Sequence, residues 1–160
     1  RAILFDSRLE KVLLFKLHKK ASDHDGGNAN ILWITPGGGV ENGECLTFCL
    51  ERELKEELGL LPSQYKNLGH IWQSLPKPII YSNAPHYFVD NYFFVQINSE
   101  LPVFETSKWT MEEREVLKEL KWWSLDELKL TSNLIAPPQL KSFNPFEVPE
   151  LGPLLIHEEL

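Results

Sequence analysis

The feature that most constrains the fold is a glycine-rich loop followed at once by a periodic, acidic segment. Pro36 and the three glycines after it cannot form a helix or a central strand, and their backbone can approach a ligand closely. The spacing of apolar residues then predicts a helix over residues 45–58 that docks on a core. The docking stripe comprises Thr47, Leu50, Leu54 and Leu58. The fold must therefore hold a tight loop beside a docked helix.

The same helix carries a dense group of acids. Stepping about 100° per residue places Glu53, Glu56 and Glu57 within an arc of about 100°. Glu53 and Glu57 are four residues apart, and like charges at that spacing destabilise a helix that has no other use for them. Residues 38–60 contain six acidic residues and only two basic ones. A hard divalent cation such as Mg²⁺, which binds carboxylate oxygens, is the simplest neutraliser, and a solvated helix face is the alternative.

The fixed residues of this stretch resemble the box of the Nudix hydrolases, G-x5-E-x7-R-E-U-x-E-E-x-G-U, in which U is a bulky aliphatic residue. Every fixed position is filled, and the residues are Gly38, Glu44, Arg52, Glu53, Leu54, Glu56, Glu57, Gly59 and Leu60. With similar flanking segments, the resemblance spans roughly residues 1–140. It implies the family's fold, an α+β protein built as an α/β/α sandwich with a central mixed β-sheet and the box as a loop-helix-loop.

The resemblance also implies a metal site on the helix. Glu56 and Glu57 would be metal ligands, and Glu53 would be either a further ligand or the base that activates water. Gly38 would offer its backbone carbonyl to the metal. Mg²⁺ is the expected ion, with Mn²⁺ as the alternative.

The catalytic residues implied in this way are Glu53, Glu57 and Arg52. Arg52 would pair with Glu44 and so fix the helix to the glycine loop, and Glu44 and Gly59 would be the structural residues of the box. Members of the family often add an acid from a distant loop. The candidates for that acid are Glu113, Glu112 and Glu105. The first two could instead serve the first turn of a helix.

The activity implied by the resemblance is hydrolysis of a diphosphate bond in a nucleoside diphosphate derivative, with ADP-ribose or a nucleotide sugar first. Pro76, sixteen residues past Leu60, resembles a marker of the ADP-ribose pyrophosphatases in this family. Within the enzyme class, the alternative is a (d)NTP pyrophosphohydrolase that removes unwanted nucleotides. From another class, the alternative is a catalytically inactive nucleotide-binding module, against which the intact glutamates argue.

Residues outside the box must determine which groups attached to the diphosphate the protein accepts. The candidate substrate contacts are Trp33, Trp72, Pro76, Tyr87 and Trp109. Aromatic side chains can stack on a nucleobase, although most aromatic residues of a domain of 160 residues belong to its core.

Composition excludes several functions. A net charge of −7 and a pI near 5.2 are atypical of a surface that binds long nucleic acid. No apolar run approaches the roughly 20 residues that span a bilayer, so we expect no membrane partner. Cys45 and Cys49, one turn apart on the predicted helix, are badly placed for a disulfide and indicate a reducing, cytoplasmic location.

The remaining segments predict a β-rich domain. Strands are expected over residues 2–5, 12–17, 31–35, 65–73, 87–98 with a break at 90–91, and 119–123. Short helices are expected over residues 110–117 and 125–130, and the lack of regular strand-helix alternation favours an α+β fold. We expect a hydrolase domain over residues 1–145. Residues 146–160 form a proline-containing tail that packs on the domain or extends from it, with a homodimer interface as one option.

Overall fold

The computed structural model describes residues 1–8, 10–18, 31–81, 84–97, 117–147 and 152–157. Within these ranges the helices are α1 (Leu46–Leu58) and α2 (Leu125–Leu130), with 3-10 turns at Pro62–Gln64 and Pro138–Ser142. The strands of the same ranges are β1 (Ala2–Asp6), β2 (Lys11–His18), β3 (Ile31–Ile34), β4 (Tyr65–Ser74), β5 (Lys77–Tyr81), β6 (Ala84–Phe88), β7 (Asn91–Ile97), β8 (Leu117–Ser124), β9 (Leu134–Ala136) and β10 (Leu154–Ile156).

A mixed sheet forms the centre of the molecule. Its strand order is β10-β4-β7-β1-β2-β3-β9, and β8 pairs with β2. The central strand β1 is parallel to β7 and antiparallel to β2. All five residues of β1 are buried, as expected for a strand that is covered on both faces. Strands β5 and β6 form a separate hairpin, which connects β4 to β7 along the chain.

The two faces of the sheet bury two separate apolar clusters. Because alternate residues of a strand point to opposite faces, Leu4 of β1 packs in the cluster that includes Leu54 of α1, and Ile3 packs in the other. The second cluster includes Leu128 of α2 and Leu140 of the following 3-10 turn. Helical elements therefore cover both faces, and the predicted α+β sandwich with a mixed sheet is confirmed.

Helix α1 follows the predicted periodicity closely. Its buried stripe contains Leu50, Leu54 and Leu58, joined by Cys49, whereas Thr47 is exposed and does not take part in docking. The helix ends at Gly59, whose φ of 70° lies in the left-handed region. The Gly59 N–H donates to the carbonyl of Lys55 at 3.0 Å, which satisfies one of the last free carbonyls.

Several predicted boundaries differ from the observed ones. The break predicted at residues 90–91 lies one residue earlier, at residues 89–90, since β6 ends at Phe88 and β7 begins at Asn91. Strand β5 was not predicted. The predicted helix over residues 110–117 is wrong at its last residue, because Leu117 starts β8 and pairs with Leu17 across the sheet. Residues 110–116 lie outside the described residues.

The segment after residue 145 contributes a strand to the main sheet. Strand β10 runs parallel to β4 with Leu154 opposite Trp72. The predicted division of the chain at residue 145 stays a prediction. In the described ranges, no helix is long and apolar enough to cross a bilayer.

Candidate active site

A cavity of about 410 Å³ lies between the glycine loop (residues 36–39), helix α1 and the β5–β6 hairpin. Residues that line it include Arg1, Gly38, Glu53, Tyr87, Phe88 and Asp90. The fold therefore brings a glutamate and a glycine of the box together with residues that are distant in sequence.

Arg52 joins helix α1 to the glycine loop. Its Nε and Nη2 donate to the two carboxylate oxygens of Glu44 at 2.9 and 3.0 Å, and Nη2 also donates to the Gly39 carbonyl at 2.9 Å. Its Nη1 donates to Glu53 at 2.7 Å and to Glu56 at 3.0 Å. A planar guanidinium can make this fork of bonds and a lysine cannot. One side chain thus holds three carboxylates and the loop.

These hydrogen bonds change the proton affinities of the pair. The hydrogen bond from Arg52, followed by one from the backbone N–H of Glu41, lowers the pKa of Glu44 to about 2. The pKa of Arg52 is raised by its hydrogen bond to Glu44. Both groups are therefore charged at neutral pH, and an ion pair connects the helix to the loop there.

Two glutamates of α1 are buried against the glycine loop. Glu53 and Glu57 are only 9% and 8% exposed, which is uncommon for a carboxylate. A Cβ on Gly38 would lie 2.7 Å from Cδ of Glu53, so only glycine leaves room for this carboxylate. Glu57 accepts a hydrogen bond of 2.6 Å from the N–H of Gly37. The loop thus provides space to one glutamate and a hydrogen bond to the other.

Arg1 holds the glycine loop from the other side. Its Nη1 donates to the carbonyls of Gly37 at 2.7 Å and Thr35 at 3.3 Å. Its Nε pairs with Asp90 at 3.4 Å, just before β7. The Gly37 residue is therefore fixed at both ends, since its N–H binds Glu57 and its carbonyl binds Arg1.

Glu56 lies in a different environment from the other two glutamates. Its side chain is 57% exposed and pairs with Arg52. Among the described residues, no group of three His, Cys, Asp or Glu side chains is gathered as a formed metal site. The donor set nevertheless suits a hard cation, because it consists of carboxylate oxygens beside backbone carbonyls. Because Gly38 has no Cβ, the Glu53 carboxylate can lie against the glycine loop.

The residues predicted as substrate contacts lie in different parts of the molecule. Tyr87 lines the cavity. Trp33 is buried edge-on to Trp123, with ring centroids 5.0 Å apart, and Trp72 is buried in the same cluster against Phe143. Pro76 is exposed between β4 and β5. Trp109, Glu105, Glu112 and Glu113 lie outside the described residues.

Several residues that line the cavity were not predicted. Phe88 and Asp90 lie one and three residues after Tyr87, and Arg1 precedes β1. The only signal was the aromatic run that ends in an Asp-Asn pair, which indicated a strand break and nothing about a site. These residues reach the cavity through strand pairing between distant segments, which a single sequence does not display.

A family model described as the NUDIX domain matches residues 1–143. The chain therefore belongs to the Nudix family. A segment of 101 residues, 61% of the chain, is 36% identical to the m7GpppN-mRNA hydrolase NUDT17 of Xenopus laevis. That match covers 32% of the relative, so the chain spans about a third of its length.

Solved structures support the same fold. The dihydroneopterin triphosphate pyrophosphohydrolase of E. coli matches with a TM-score of 0.58 and 19% identity, over 89% of this chain and 90% of that one. A NUDIX-family hydrolase from Clostridium perfringens matches with a TM-score of 0.51 and 22% identity, over 83% of each chain. Divalent metals and small nucleotide-derived substrates are typical of the family.

Proposed function

We propose that this chain hydrolyses a diphosphate bond in a nucleoside diphosphate derivative with the help of Mg²⁺. The observation that carries this proposal is the pair of buried carboxylates, Glu53 and Glu57, held against the glycine loop beside a cavity of nucleotide scale. Each carboxylate is buried beside a partner, Arg52 for Glu53 and the Gly37 N–H for Glu57, as a buried carboxylate requires. The glycine loop explains where the two carboxylates lie, and binding a metal ion would give them a catalytic role.

Each box residue has a specific task in this proposal. The ion would be held by Glu56, Glu57 and the Gly38 carbonyl. Glu53 would be either a further ligand or the base that activates water. When bound, the cation would neutralise phosphate charge and lower the pKa of a water molecule. Arg52 neutralises part of the acidic group and keeps the helix aligned with the loop. Positioning and charge neutralisation are the main requirements for attack on phosphorus.

ADP-ribose or a nucleotide sugar is the lead substrate. The exposed position of Pro76 between β4 and β5 gives this lead no added support from the cavity. The 36% identity to an m7GpppN-mRNA hydrolase adds a cap dinucleotide as a second candidate, because a cap also joins a nucleoside to a partner through phosphates. A (d)NTP that releases pyrophosphate remains the alternative within the same chemistry.

Incubation of the protein with ADP-ribose, UDP-glucose, an m7GpppA cap dinucleotide, a capped RNA and the dNTPs tests the proposal. We expect Mg²⁺-dependent release of a nucleoside monophosphate from the lead substrates. The products show which bond is cut, and the capped RNA tests the prediction that long nucleic acid is not a substrate. Parallel reactions with Mn²⁺ compare the two candidate ions.

The variant Glu57→Gln should lower kcat by roughly a hundred-fold or more, the scale for losing a group that stabilises transition-state charge. Its matched control is Glu51→Gln, which removes a charge from the same helix at a variable position of the box. Equal activity of Glu57→Gln and the wild type would reject the metal assignment. If no nucleotide is hydrolysed with either ion, the inactive binding module would replace the hydrolase.

Three further expectations stay predictions. The role of Glu113 or Glu112 as a distal acid can be tested by substitution with glutamine, which should lower kcat. The homodimer can be tested by light scattering, and the cytoplasmic location by fractionation.

A further inference from the structure

The outer part of the cavity has an apolar wall that the box chemistry does not use. Tyr87, Phe88 and Val89 line it from the hairpin side, and Val40 and Leu46 line it from the loop and helix side. Tyr87 is 71% exposed and Phe88 is 53% exposed. Exposed aromatic neighbours at the mouth of a cavity are poorly explained by core packing.

The hairpin is attached firmly at its base. The Ser74 N–H donates to the Asp90 carbonyl at 2.8 Å, and the Asp90 N–H donates to the Ser74 hydroxyl at 2.8 Å. The Asp90 carboxylate lies between Arg1 at 3.4 Å and Lys77 at 3.5 Å. Since Arg1 also binds the glycine loop, the hairpin has a defined position relative to the glutamates.

The cavity lining therefore combines two chemically different sets of residues. Glu53 and the glycine loop suit a metal-bound diphosphate, and the hairpin contributes the exposed aromatic residues Tyr87 and Phe88. A sugar is rich in hydroxyl groups and would need polar partners, whereas a nucleobase presents a flat π-face to an aromatic ring. Stacking accepts every base, because every base has such a face.

Resting on the proposed function, we propose that the hairpin wall of Tyr87 and Phe88 is the nucleobase subsite, with Val40 and Leu46 on its opposite side. The subsite contributes affinity for the base and takes no part in the chemical step. Its residues therefore determine KM and leave kcat nearly unchanged. The ligand class is a nucleoside diphosphate derivative held by its base.

Steady-state kinetics of Tyr87→Ala, Phe88→Ala and the double variant test this inference. The substrates are ADP-glucose, GDP-glucose and UDP-glucose, which differ only in the base, and phosphoribosyl diphosphate, which has none. Since adjacent strand residues face opposite ways, at least one single variant and the double variant should raise KM for all three nucleotides. The expected rise is roughly ten- to hundred-fold, the range for loss of one base-stacking contact.

The matched control is Phe48→Ala, because Phe48 is 66% exposed on α1 and is not among the residues that line the cavity. Phe48→Ala should keep the wild-type KM. Tyr87→Phe retains the ring that stacking uses, so it should recover affinity that Tyr87→Ala loses. The base-free diphosphate should show no difference between the wild type and any variant.

Calorimetric titration with ADP and Mg²⁺ gives a readout that does not depend on turnover. Weaker ADP binding by the double variant, with normal binding by Phe48→Ala, supports the subsite even if no substrate of the panel is cleaved. Turnover with an unchanged KM in the double variant overturns the subsite and leaves the hydrolase assignment intact. An equal rise in KM of the double variant for the base-free diphosphate also overturns the subsite.

Discussion

Two adjacent glycines of the loop have different surroundings. A Cβ on Gly38 would meet the Glu53 carboxylate, whereas a Cβ on Gly39 would have nothing within 4 Å. The sequence pattern requires glycine only at the first of these positions. The structure gives the physical reason, which is the space that the carboxylate occupies.

The variant Gly38→Ala should lose activity while the protein stays folded. The new methyl group meets the tip of a flexible side chain, so Glu53 can turn away at small cost to stability but leaves its functional position. We expect kcat to fall by about a hundred-fold, as for a misplacement of about 1 Å at a reacting centre. Gly39→Ala is the matched control and should keep both activity and melting temperature. Similar activity of the two variants would show that the place of Glu53 does not matter.

The pair of Glu44 and Arg52 predicts a specific pH dependence of stability. The pKa of Glu44 is lowered to about 2 in the folded protein, from an ordinary value of 4.5. The stabilisation is therefore fully present above pH 4.5 and is lost as pH falls towards 2. Glu44→Gln should lower the melting temperature at pH 7, and its difference from the wild type should shrink between pH 4.5 and 3. Thermal unfolding across this range measures it, with Glu51→Gln as the control. A difference that is constant with pH would contradict the role of this carboxylate.

At the scale of elements, helix α1 was the most predictable part of the molecule. Its apolar periodicity and its final glycine are local signals, and the observed helix begins one residue after the predicted start at residue 45. The hairpin was less predictable. Strand β5 contains Pro78, which is atypical of a strand interior, and among the described strands its partner is β6, outside the main sheet.

The left-handed end of α1 can be tested by Gly59→Ala. A residue with a Cβ is disfavoured at a φ of 70°, by about 1 to 2 kcal/mol. We expect the free energy of unfolding to fall by about 1 kcal/mol, with kcat close to that of the wild type. Urea denaturation measures the change, and Gly39→Ala again serves as the control. An unchanged unfolding midpoint would show that the helix can end in another way.

At the scale of the whole molecule, Arg1 joins three parts of the chain. It contacts Gly37 of the loop and Asp90 at the base of the hairpin, and Gly37 in turn contacts Glu57. No sequence spacing indicates these contacts, because they depend on β1 lying beside β7 in the sheet.

The variant Arg1→Ala should lower kcat by roughly ten-fold, because the Gly37 carbonyl loses its partner and the loop can shift relative to Glu57. Arg1→Lys should recover only part of the activity, since lysine lacks the fork of donors. Lys129→Ala is the control, because it removes a cation from an exposed pair with Asp126 that is remote from the cavity lining. Equal activity of Arg1→Ala and the control would show that Arg1 does not position the glycine loop for catalysis.

The sequence by itself determined the box, its helix and the family to which the chain belongs. These depend on spacings within 23 residues, where helical periodicity fixes which side chains share a face. Only the tertiary structure decided that Glu53 and Glu57 are buried while Glu56 is largely exposed, because burial depends on the loop and sheet that cover the helix. It also decided that Tyr87 lines the cavity while Trp33 and Trp72 belong to the core. Aromatic residues look alike in a sequence, and strand pairing between distant segments determines which of them reach the site.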